Sequence, residues 1–348
     1  LGLDGQHHDQ IIDGIGIGIR IDGTGGATRG RVEANDLALR MAKYHTGHEG
    51  IIVTSEAYHG NSELTSGFSP SMGENSRLGT WVRRVPAPDT YRVETGDMGE
   101  WLAAQVSDQI LDLKRRGQGL AAFVADSLFT SDGIFPNEPG MLEPVIAVVR
   151  SAGGVFVADE VQSGFARTGS RMWGYQRHGV IPDIISLGKP MGNGYPVAGI
   201  ALRPELASRF GYDMRYFNTF GGNTVAMAAA NATLEVVQSE NLMANANQVG
   251  AIMLSGLRDL MQEDERIGDV RGTGLYLGVE MVKDRETREP NGPLALALVN
   301  EMRRRRVLIS ATSYNANVLK VRPPLIFTAA NADQFLTELK AALKTVRT

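Results

Sequence analysis

Apolar and polar positions alternate in blocks along the first half of the chain. Short apolar runs of strand length are separated by longer amphipathic segments, such as residues 101–115 and 142–150. The apolar runs are IIVT (51–54), AAFVAD (121–126), GVFVAD (154–159) and IISL (184–187). Strands that alternate with helices are typical of an α/β protein, so we predict a mostly parallel sheet covered by helices on both faces.

The first 32 residues have a different pattern. The stretch GIGIGIRIDGTGGATRG alternates Gly with Ile and then loses all periodicity, so we expect residues 1–32 to be irregular. From Glu33 the pattern becomes helical, because Leu37, Met41 and Tyr44 recur at helical spacing and Gly47 can end the helix. The sequence therefore predicts the first helix immediately after this atypical segment.

The pattern changes again near residue 222. Helical stretches are predicted at 224–237, 249–261, 294–305 and 332–345, and strand-like runs at 275–281, 307–310 and 318–321. We interpret this half as a long connecting helix followed by a smaller α+β domain. The predicted division is an irregular segment (1–32), a large domain (33–238) and a small C-terminal domain (239–348).

Composition narrows the class of protein. The chain has 348 residues, 43% of them hydrophobic, and no apolar run of about 18 residues that could span a bilayer. A net charge of -4 gives no reason to expect a nucleic-acid or membrane partner, so a small-molecule substrate is the default. The absence of cysteine excludes disulfides and thiolate nucleophiles and fits a cytoplasmic protein. We see no signal peptide and predict no metal site.

The candidate reactive side chains follow two of the predicted strands. Ligands of open parallel sheets gather at the carboxyl ends of the strands, and there the sequence places Asp159 and Glu160 after one run and Lys189 after the next. Desolvation at such a position favours the neutral amine that Schiff-base chemistry needs. A turn-capping role for Lys189 stays open from position alone, and Lys320, beside Arg322, is the rival lysine.

An acid and a lysine on neighbouring strand ends match the needs of pyridoxal 5'-phosphate. This cofactor requires a lysine on its aldehyde carbon, a carboxylate on its pyridine nitrogen and donors around its phosphate. Asp159 and Lys189 would supply the first two. Thr219, Gly221 and Gly222 in FNTFGGN precede a predicted helix and could supply phosphate donors, although a simple turn is the alternative.

The Tyr58–His59–Gly60 turn follows the strand IIVT. Tyr58 offers an aromatic face on which a cofactor ring could stack. A single aromatic side chain at a strand end is equally compatible with ordinary packing.

With these residues in view, the chain resembles the class III aminotransferases, which are fold-type I pyridoxal-phosphate enzymes. The resemblance extends from about Glu33 to the C-terminus. It is carried by EANDLALRMAKYHTG, EAYHG, VFVADEVQSGFARTG, PDIISLGKPMGNGYPVAG, FNTFGGN and VLKVRPPL. It implies the fold-type I architecture, a mostly parallel sheet sandwiched by helices with a smaller C-terminal α+β domain.

The resemblance also implies roles at the cofactor ring. Asp159 would pair with the pyridine nitrogen, Lys189 would bind the cofactor as a Schiff base, and Gln162 would lie near the phenolic oxygen. Tyr58 would stack on the ring, and the adjacent His59 is a further candidate for cofactor binding.

Other implied roles concern the substrate and a second subunit. Thr219 would reach across a homodimer interface to the phosphate of the partner's cofactor. Arg322 matches an arginine that pairs with the substrate carboxylate in many relatives, a task that suits its planar, two-pronged donor geometry. Asp126 stands where relatives usually carry Glu, so it is a candidate for substrate binding with a shorter side chain.

Three functions remain open from the sequence. The leading one is transfer of an amino group from an amino acid or amine to a 2-oxo acid. The second keeps the cofactor but eliminates phosphate from a phosphorylated amine. The third is an inactive homologue with a structural or binding role, which we consider because relatives carry a longer segment before the first helix and Gly-Ser or Gly-Thr where this chain has Arg31 and Val32. We therefore expect a truncated form with reduced cofactor affinity.

Overall fold

The structure is a computed structural model that describes residues 30–347, so the predictions made for residues 1–29 lie outside it. The described chain begins with helix α1 (Arg31–Thr46), two residues before the predicted start. Gly47 ends this helix with a φ of 68°, a left-handed conformation that glycine adopts without strain. The predicted first helix and its stop signal are confirmed.

The larger sheet has six strands in the order β2-β1-β3-β4-β5-β6. The strands are β1 (Gly50–Thr54), β2 (Val82–Val85), β3 (Leu120–Ala125), β4 (Val155–Asp159), β5 (Ile184–Leu187) and β6 (Gly199–Leu202). The first five run parallel, and β6 pairs antiparallel with β5. This confirms the predicted mostly parallel sheet.

Helices cover both faces of this sheet. One face packs against α3 (Met98–Arg115) and α4 (Leu142–Ser151), and the other against α1 and α5 (Pro204–Asp213). Adjacent strand residues therefore enter opposite cores: Ile52 belongs to the first and Ile51 to the second. Burial on both faces explains why these strands are continuously apolar. A short helix, α2 (Glu63–Ser66), lies in the loop after β1.

A second core surrounds a mainly antiparallel sheet. Its strands are β7 (Ile267–Thr273), β8 (Tyr276–Asp284), β9 (Glu289–Pro290), β10 (Ser310–Thr312) and β11 (Val318–Val321). The helices of this half are α6 (Thr224–Ser239), α7 (Leu242–Glu263), α8 (Gly292–Arg304) and α9 (Ala329–Thr345). The predicted connecting helix is present, but the chain turns at Asn241 (φ 51°) between α6 and α7.

The strand predicted at 307–310 is wrong in its boundaries. Arg306 has a φ of 64°, and the Val307 N–H donates to the Met302 carbonyl, so these residues close the end of α8 instead of extending. The strand is β10, which begins at Ser310 and pairs with β11.

Candidate active site

Asp159 is the last residue of β4 and lies at the carboxyl edge of the larger sheet. Its carboxylate is only 2% exposed. Asn35 Nδ2 donates to Oδ2 (3.1 Å), His59 Nδ1 lies 2.8 Å from the same oxygen, and the Val161 N–H donates to Oδ1 (3.2 Å). Three nitrogen contacts thus hold a buried carboxylate in one orientation.

His59 reaches Asp159 from the loop after β1. Its ring stacks on Phe68, with centroids 5.3 Å apart, and its backbone N–H donates to Ser69 Oγ (2.9 Å). Tyr58, the preceding residue, is half-buried and lines a small cleft between the loops that follow β1 and β3. The structure therefore places His59 beside the Asp159 carboxylate and Tyr58 at the cleft wall.

Lys189 follows the neighbouring strand. Asp159 of β4 pairs in register with Ser186 of β5, and Lys189 lies three residues further along, in a 3₁₀ turn over residues 189–192. Adjacent strands are about 4.8 Å apart, so Lys189 follows within three residues of the strand neighbour of Asp159. Lys189 is exposed, which contradicts the expected desolvation; it lies beyond the buried strand, and its φ is 30°.

Gln162 is a hydrogen-bond hub between the two sheets. It donates to Thr130 Oγ1. Its Oε1 accepts hydrogen bonds from Tyr276 OH (2.9 Å) and Lys320 Nζ (3.0 Å). Tyr276 and Lys320 come from strands of the smaller sheet, so this side chain connects the loop after β4 to the second half of the chain. Lys320, the rival lysine, belongs to this hub.

Arg322 and Arg167 add positive charge next to Gln162. Arg322 is exposed, its Nη1 lies 3.4 Å from Gln162 Oε1, and its guanidinium lies 5.9 Å from the centroid of the Tyr276 ring. Burial, and then the neighbouring Arg322, lower the pKa of Arg167 to about 10. Within residues 30–347 neither arginine forms a salt bridge with a carboxylate. Arg167 Nη1 donates to the carbonyls of Leu275 and Pro323, so the exposed Arg322 is the better placed of the two to meet an anion.

Asp126 follows β3 and is half-buried. Its oxygens accept hydrogen bonds from the Leu128 and Thr130 N–H groups (both 2.9 Å) and from the Thr130 hydroxyl. Burial raises the pKa of Asp126, and the nearby Asp159 adds to the rise. Because Thr130 also accepts from Gln162, Asp126 belongs to the same network.

Thr219 lies apart from this network, on the surface. It is exposed, as are Gly221 and Gly222, in the segment before α6. Asn223 caps α6 by accepting a hydrogen bond from the Ala226 N–H (2.9 Å). The described chain therefore does not bring Thr219 into contact with Asp159 or Gln162.

Comparison with known proteins identifies the family. The model of the family described as "Aminotransferase class-III" matches residues 28–343. The chain belongs to the class III aminotransferases. Membership of this family indicates pyridoxal phosphate as the cofactor and chemistry on an amine, in agreement with the predictions from sequence.

Similar proteins carry two kinds of name. A Drosophila melanogaster protein named alanine-glyoxylate aminotransferase 2-like is 40% identical over 90% of this chain and 66% of its own length. A Caenorhabditis elegans protein named ethanolamine-phosphate phospho-lyase homolog 1 is 39% identical over 89% of this chain and 71% of its own. The chain thus spans about two thirds of the length of these curated relatives.

A solved structure is similar over most of the fold. It is a phospholyase from Arthrobacter in complex with phosphoethanolamine. It has a TM-score of 0.88 and 39% identity, with 92% of this chain and 77% of that chain covered. The predicted fold-type I architecture is confirmed.

The acid side of the site, which is Asp159 with its partners Asn35 and His59, fits the pyridine ring of the cofactor. Asp159 is a buried carboxylate with fixed orientation, and two polar atoms near it, His59 Nε2 and Ser186 Oγ, are buried without a hydrogen-bond partner among residues 30–347. A polar ring bound at this edge would suit such atoms. No group of residues suited to a metal and no helix able to cross a membrane occurs within the described range.

Sequence reasoning missed several members of the network. Asn35 is buried and donates to the His59 carbonyl (2.7 Å) as well as to Asp159. The signal that could have identified it is its place on α1 next to the apolar positions Ala34, Leu37 and Ala38, where a polar side chain needs a partner. Thr130, Tyr276 and Asp132 were also missed, because no local pattern shows that Thr130 and Tyr276 meet Gln162 or that Asp132 meets Thr54.

Proposed function

We propose that this chain is a pyridoxal-phosphate-dependent aminotransferase that moves an amino group from an amino acid or amine to a 2-oxo acid. The observation that supports it most is the oriented, buried Asp159 carboxylate next to the strand that leads to Lys189. An acid and an amine so placed suit opposite edges of one pyridine ring.

Each residue has a distinct task in this proposal. Bound pyridoxal phosphate supplies an electron sink for the negative charge that develops on the substrate carbon. Lys189 would hold the cofactor covalently, and its Nζ, released when the substrate amine takes its place, would remove the proton from that carbon and deliver it to the cofactor carbon that receives the amino group. Asp159, kept in place by His59 and Asn35, pairs with the ring nitrogen and keeps it protonated.

The substrate lies on the side of the smaller sheet in this proposal. Arg322 binds its carboxylate, supported by the positive charge of Arg167 and Lys320 around Gln162. Asp126 accepts a hydrogen bond from the Thr130 hydroxyl and so orients Thr130, which accepts one from Gln162. Gln162 therefore fixes the distance between the cofactor position and the anion-binding side chains.

A homodimer with shared active sites completes the proposal. Thr219 and Lys189 are exposed, and large apolar side chains are exposed in the same part of the chain, among them Tyr212 (92%), Phe217 (85%) and Phe220 (53%). Exposed aromatic side chains of this kind are typical of association surfaces. A second copy would cover Lys189 and bring the partner's Thr219 to the cofactor phosphate. The two domains, 33–238 and 239–348, and the cytoplasmic location stay part of the proposal.

Phosphate elimination from a phosphorylated amine is the second candidate. It is supported by the 39% identity to the Arthrobacter phospholyase and by the Arg167, Lys320 and Arg322 cations, since a dianionic phosphate suits several cations better than a carboxylate does.

One set of assays tests both functions. The purified chain is supplied with pyridoxal phosphate, and its visible absorbance is recorded before and after addition of L-alanine with glyoxylate or of phosphoethanolamine. Formation of glycine supports the aminotransferase, and free phosphate with no amino transfer supports the phospholyase. A chain that is colourless once the unbound cofactor has been removed contradicts both and favours an inactive homologue.

A further inference from the structure

The segment between β3 and α4, residues 126–137, has an unusual backbone. Phe129, Ile134 and Asn137 have positive φ angles of 49°, 64° and 49°. Such conformations are uncommon for non-glycine residues, and least favourable for a β-branched side chain such as Ile134. A segment with this backbone persists only where its surroundings hold it in place.

Asp132 attaches this segment to the loop after β1. It is 8% exposed, and each of its carboxyl oxygens accepts one hydrogen bond. The Thr54 hydroxyl donates to Oδ2 (2.7 Å), and the Glu56 N–H donates to Oδ1 (2.9 Å). Thr54 is the last residue of β1, so Asp132 fixes the point at which this strand becomes a loop.

The loop that Asp132 holds leads directly to the cofactor side of the site. Two residues after Glu56 comes Tyr58, and then His59, whose Nδ1 lies 2.8 Å from Asp159. Asp132, Tyr58, His59 and Thr54 line the same small cleft. A shift of the Glu56 backbone would therefore move Tyr58, which lines the cleft, and His59, which contacts Asp159.

The opposite side of the segment is held by arginines. Arg271 of β7 is 8% exposed, and its Nε and Nη2 donate to the carbonyls of Gly133 and Ile134 at 2.7 to 3.1 Å. Arg177 donates to the carbonyls of Pro136 and Asn137. With its other side fixed, the segment acts as a rigid support from which Asp132 can hold the β1 loop.

We propose that Asp132 is a positioning residue for the cofactor: through Glu56 it fixes the 55–60 loop that carries Tyr58 and His59. The proposal rests on the proposed function for its cofactor, but the loop that it concerns exists without it. The carboxyl contributes through its two hydrogen bonds, one with the Thr54 hydroxyl and one with the Glu56 N–H.

The surroundings of Asp132 favour the neutral form of its carboxyl. Burial raises the pKa of Asp132 to about 7, and the nearby Asp126 and Glu56 carboxyls add to the rise. Arg84 is a cation that acts on Glu56, and His59 lines the same cleft as Asp132. Asn has the same shape as the neutral acid: its oxygen can accept from the Glu56 N–H, and its amide can donate to the Thr54 hydroxyl.

Three variants separate positioning from general stability. Asp132→Ala removes both hydrogen bonds, whereas Asp132→Asn can still accept from the Glu56 N–H and can donate to the Thr54 hydroxyl instead of accepting from it. The matched control is Asp183→Ala, because Asp183 is 5% exposed and accepts the Phe156 N–H (2.9 Å) at the opposite, amino-terminal edge of the sheet. The first measurement is hydrogen exchange of the amides in residues 55–60 of the cofactor-free chain. The second is cofactor affinity, from the visible absorbance during titration with pyridoxal phosphate.

Asp132→Ala should accelerate exchange in residues 55–60 and weaken cofactor binding roughly ten- to a hundredfold, the loss typical of removing a partner that orients a ligand-binding group. Asp132→Asn should retain both, and Asp183→Ala should lower the melting temperature while changing neither. Unchanged exchange in Asp132→Ala, or an equal loss of cofactor affinity in Asp183→Ala, would overturn the proposal.

Failure of the proposed function gives a different result. If the wild-type chain binds the cofactor but transfers no amino group and releases no phosphate, the function is wrong while the comparison of Asp132 variants stands. If it binds no cofactor, the hydrogen-exchange result alone decides, and equal exchange in wild type and Asp132→Ala rejects the role of Asp132.

Discussion

Asp159 and Lys189 lie at the ends of neighbouring strands, yet their surroundings differ. Asp159 is 2% exposed and oriented by Asn35, His59 and the Val161 N–H. Lys189 is exposed, as is Thr219. The acid side of the site is thus assembled within one chain, whereas the lysine side lies on its surface. The difference indicates that the acid side depends on folding alone and the lysine side on what covers it, which we propose to be a second copy.

The largest effect should come from the lysine side. Lys189→Ala should abolish covalent attachment of the cofactor and lower activity by several orders of magnitude, because the group that moves the proton is lost. Borohydride treatment followed by intact-mass measurement should show an added cofactor in the wild type and none in the variant. Lys320→Ala is the matched control: it should retain the adduct, and loss of the adduct there would assign the linkage to Lys320.

A smaller but still large effect is expected on the acid side. Asp159→Asn keeps the shape of the side chain but removes the charge that pairs with the ring nitrogen, so kcat should fall about 10²- to 10³-fold. Asn35→Ala removes one of the donors to this carboxylate, and we expect a smaller loss. Steady-state rates at saturating cofactor measure both. Equal rates for Asp159→Asn and wild type would show that this carboxylate is not the partner of the ring nitrogen.

Local patterns were sufficient for the elements on which the site is built. Burial on both faces makes β3, β4 and β5 continuously apolar, so the positions of Asp159 and Lys189 at strand ends were predictable. The edge strands β2 and β6 were not predicted. VRRV places two arginines in β2, and the antiparallel direction of β6 depends on a turn with no strong signal.

The partners of the site residues were harder to predict. Asp132 bonds to Thr54 across 78 positions, and Tyr276 bonds to Gln162 across 114. The exposure of Lys189 could not be predicted either, because strand-end position specifies the location of a residue but not what covers it.

The pH dependence of stability tests the environment of Asp132, which holds the loop that carries His59. The pKa of Asp132 rises from 3.8 to about 7 on folding, so the folded state binds this proton more tightly. Its stabilising contribution is therefore complete below about pH 4 and is lost as the pH rises through 7, by about 2–4 kcal/mol. Asp132→Asn should be free of this loss. Denaturant unfolding of the cofactor-free wild type and Asp132→Asn from pH 4 to 8 measures the difference in their free energies of unfolding. This difference should shift in favour of the variant as the pH rises and then level off. A difference that stays constant over this pH range would show that the pKa of Asp132 in the folded chain is close to its ordinary value of 3.8.

The smallest effect expected concerns the homodimer surface that we propose covers Lys189. Phe217, 85% exposed in the segment that also carries Thr219, should be buried in the proposed homodimer. Phe217→Ser should weaken self-association about tenfold or more, as for an aromatic side chain central to an interface. Sedimentation over a range of concentrations measures it. Leu308→Ser is the matched control, since Leu308 is 83% exposed but follows α8 in the second half of the chain. If cofactor affinity falls together with dimer content in Phe217→Ser but not in Leu308→Ser, the lysine side is completed by a second subunit. If the wild type is monomeric and still binds the cofactor tightly, the lysine side needs no partner.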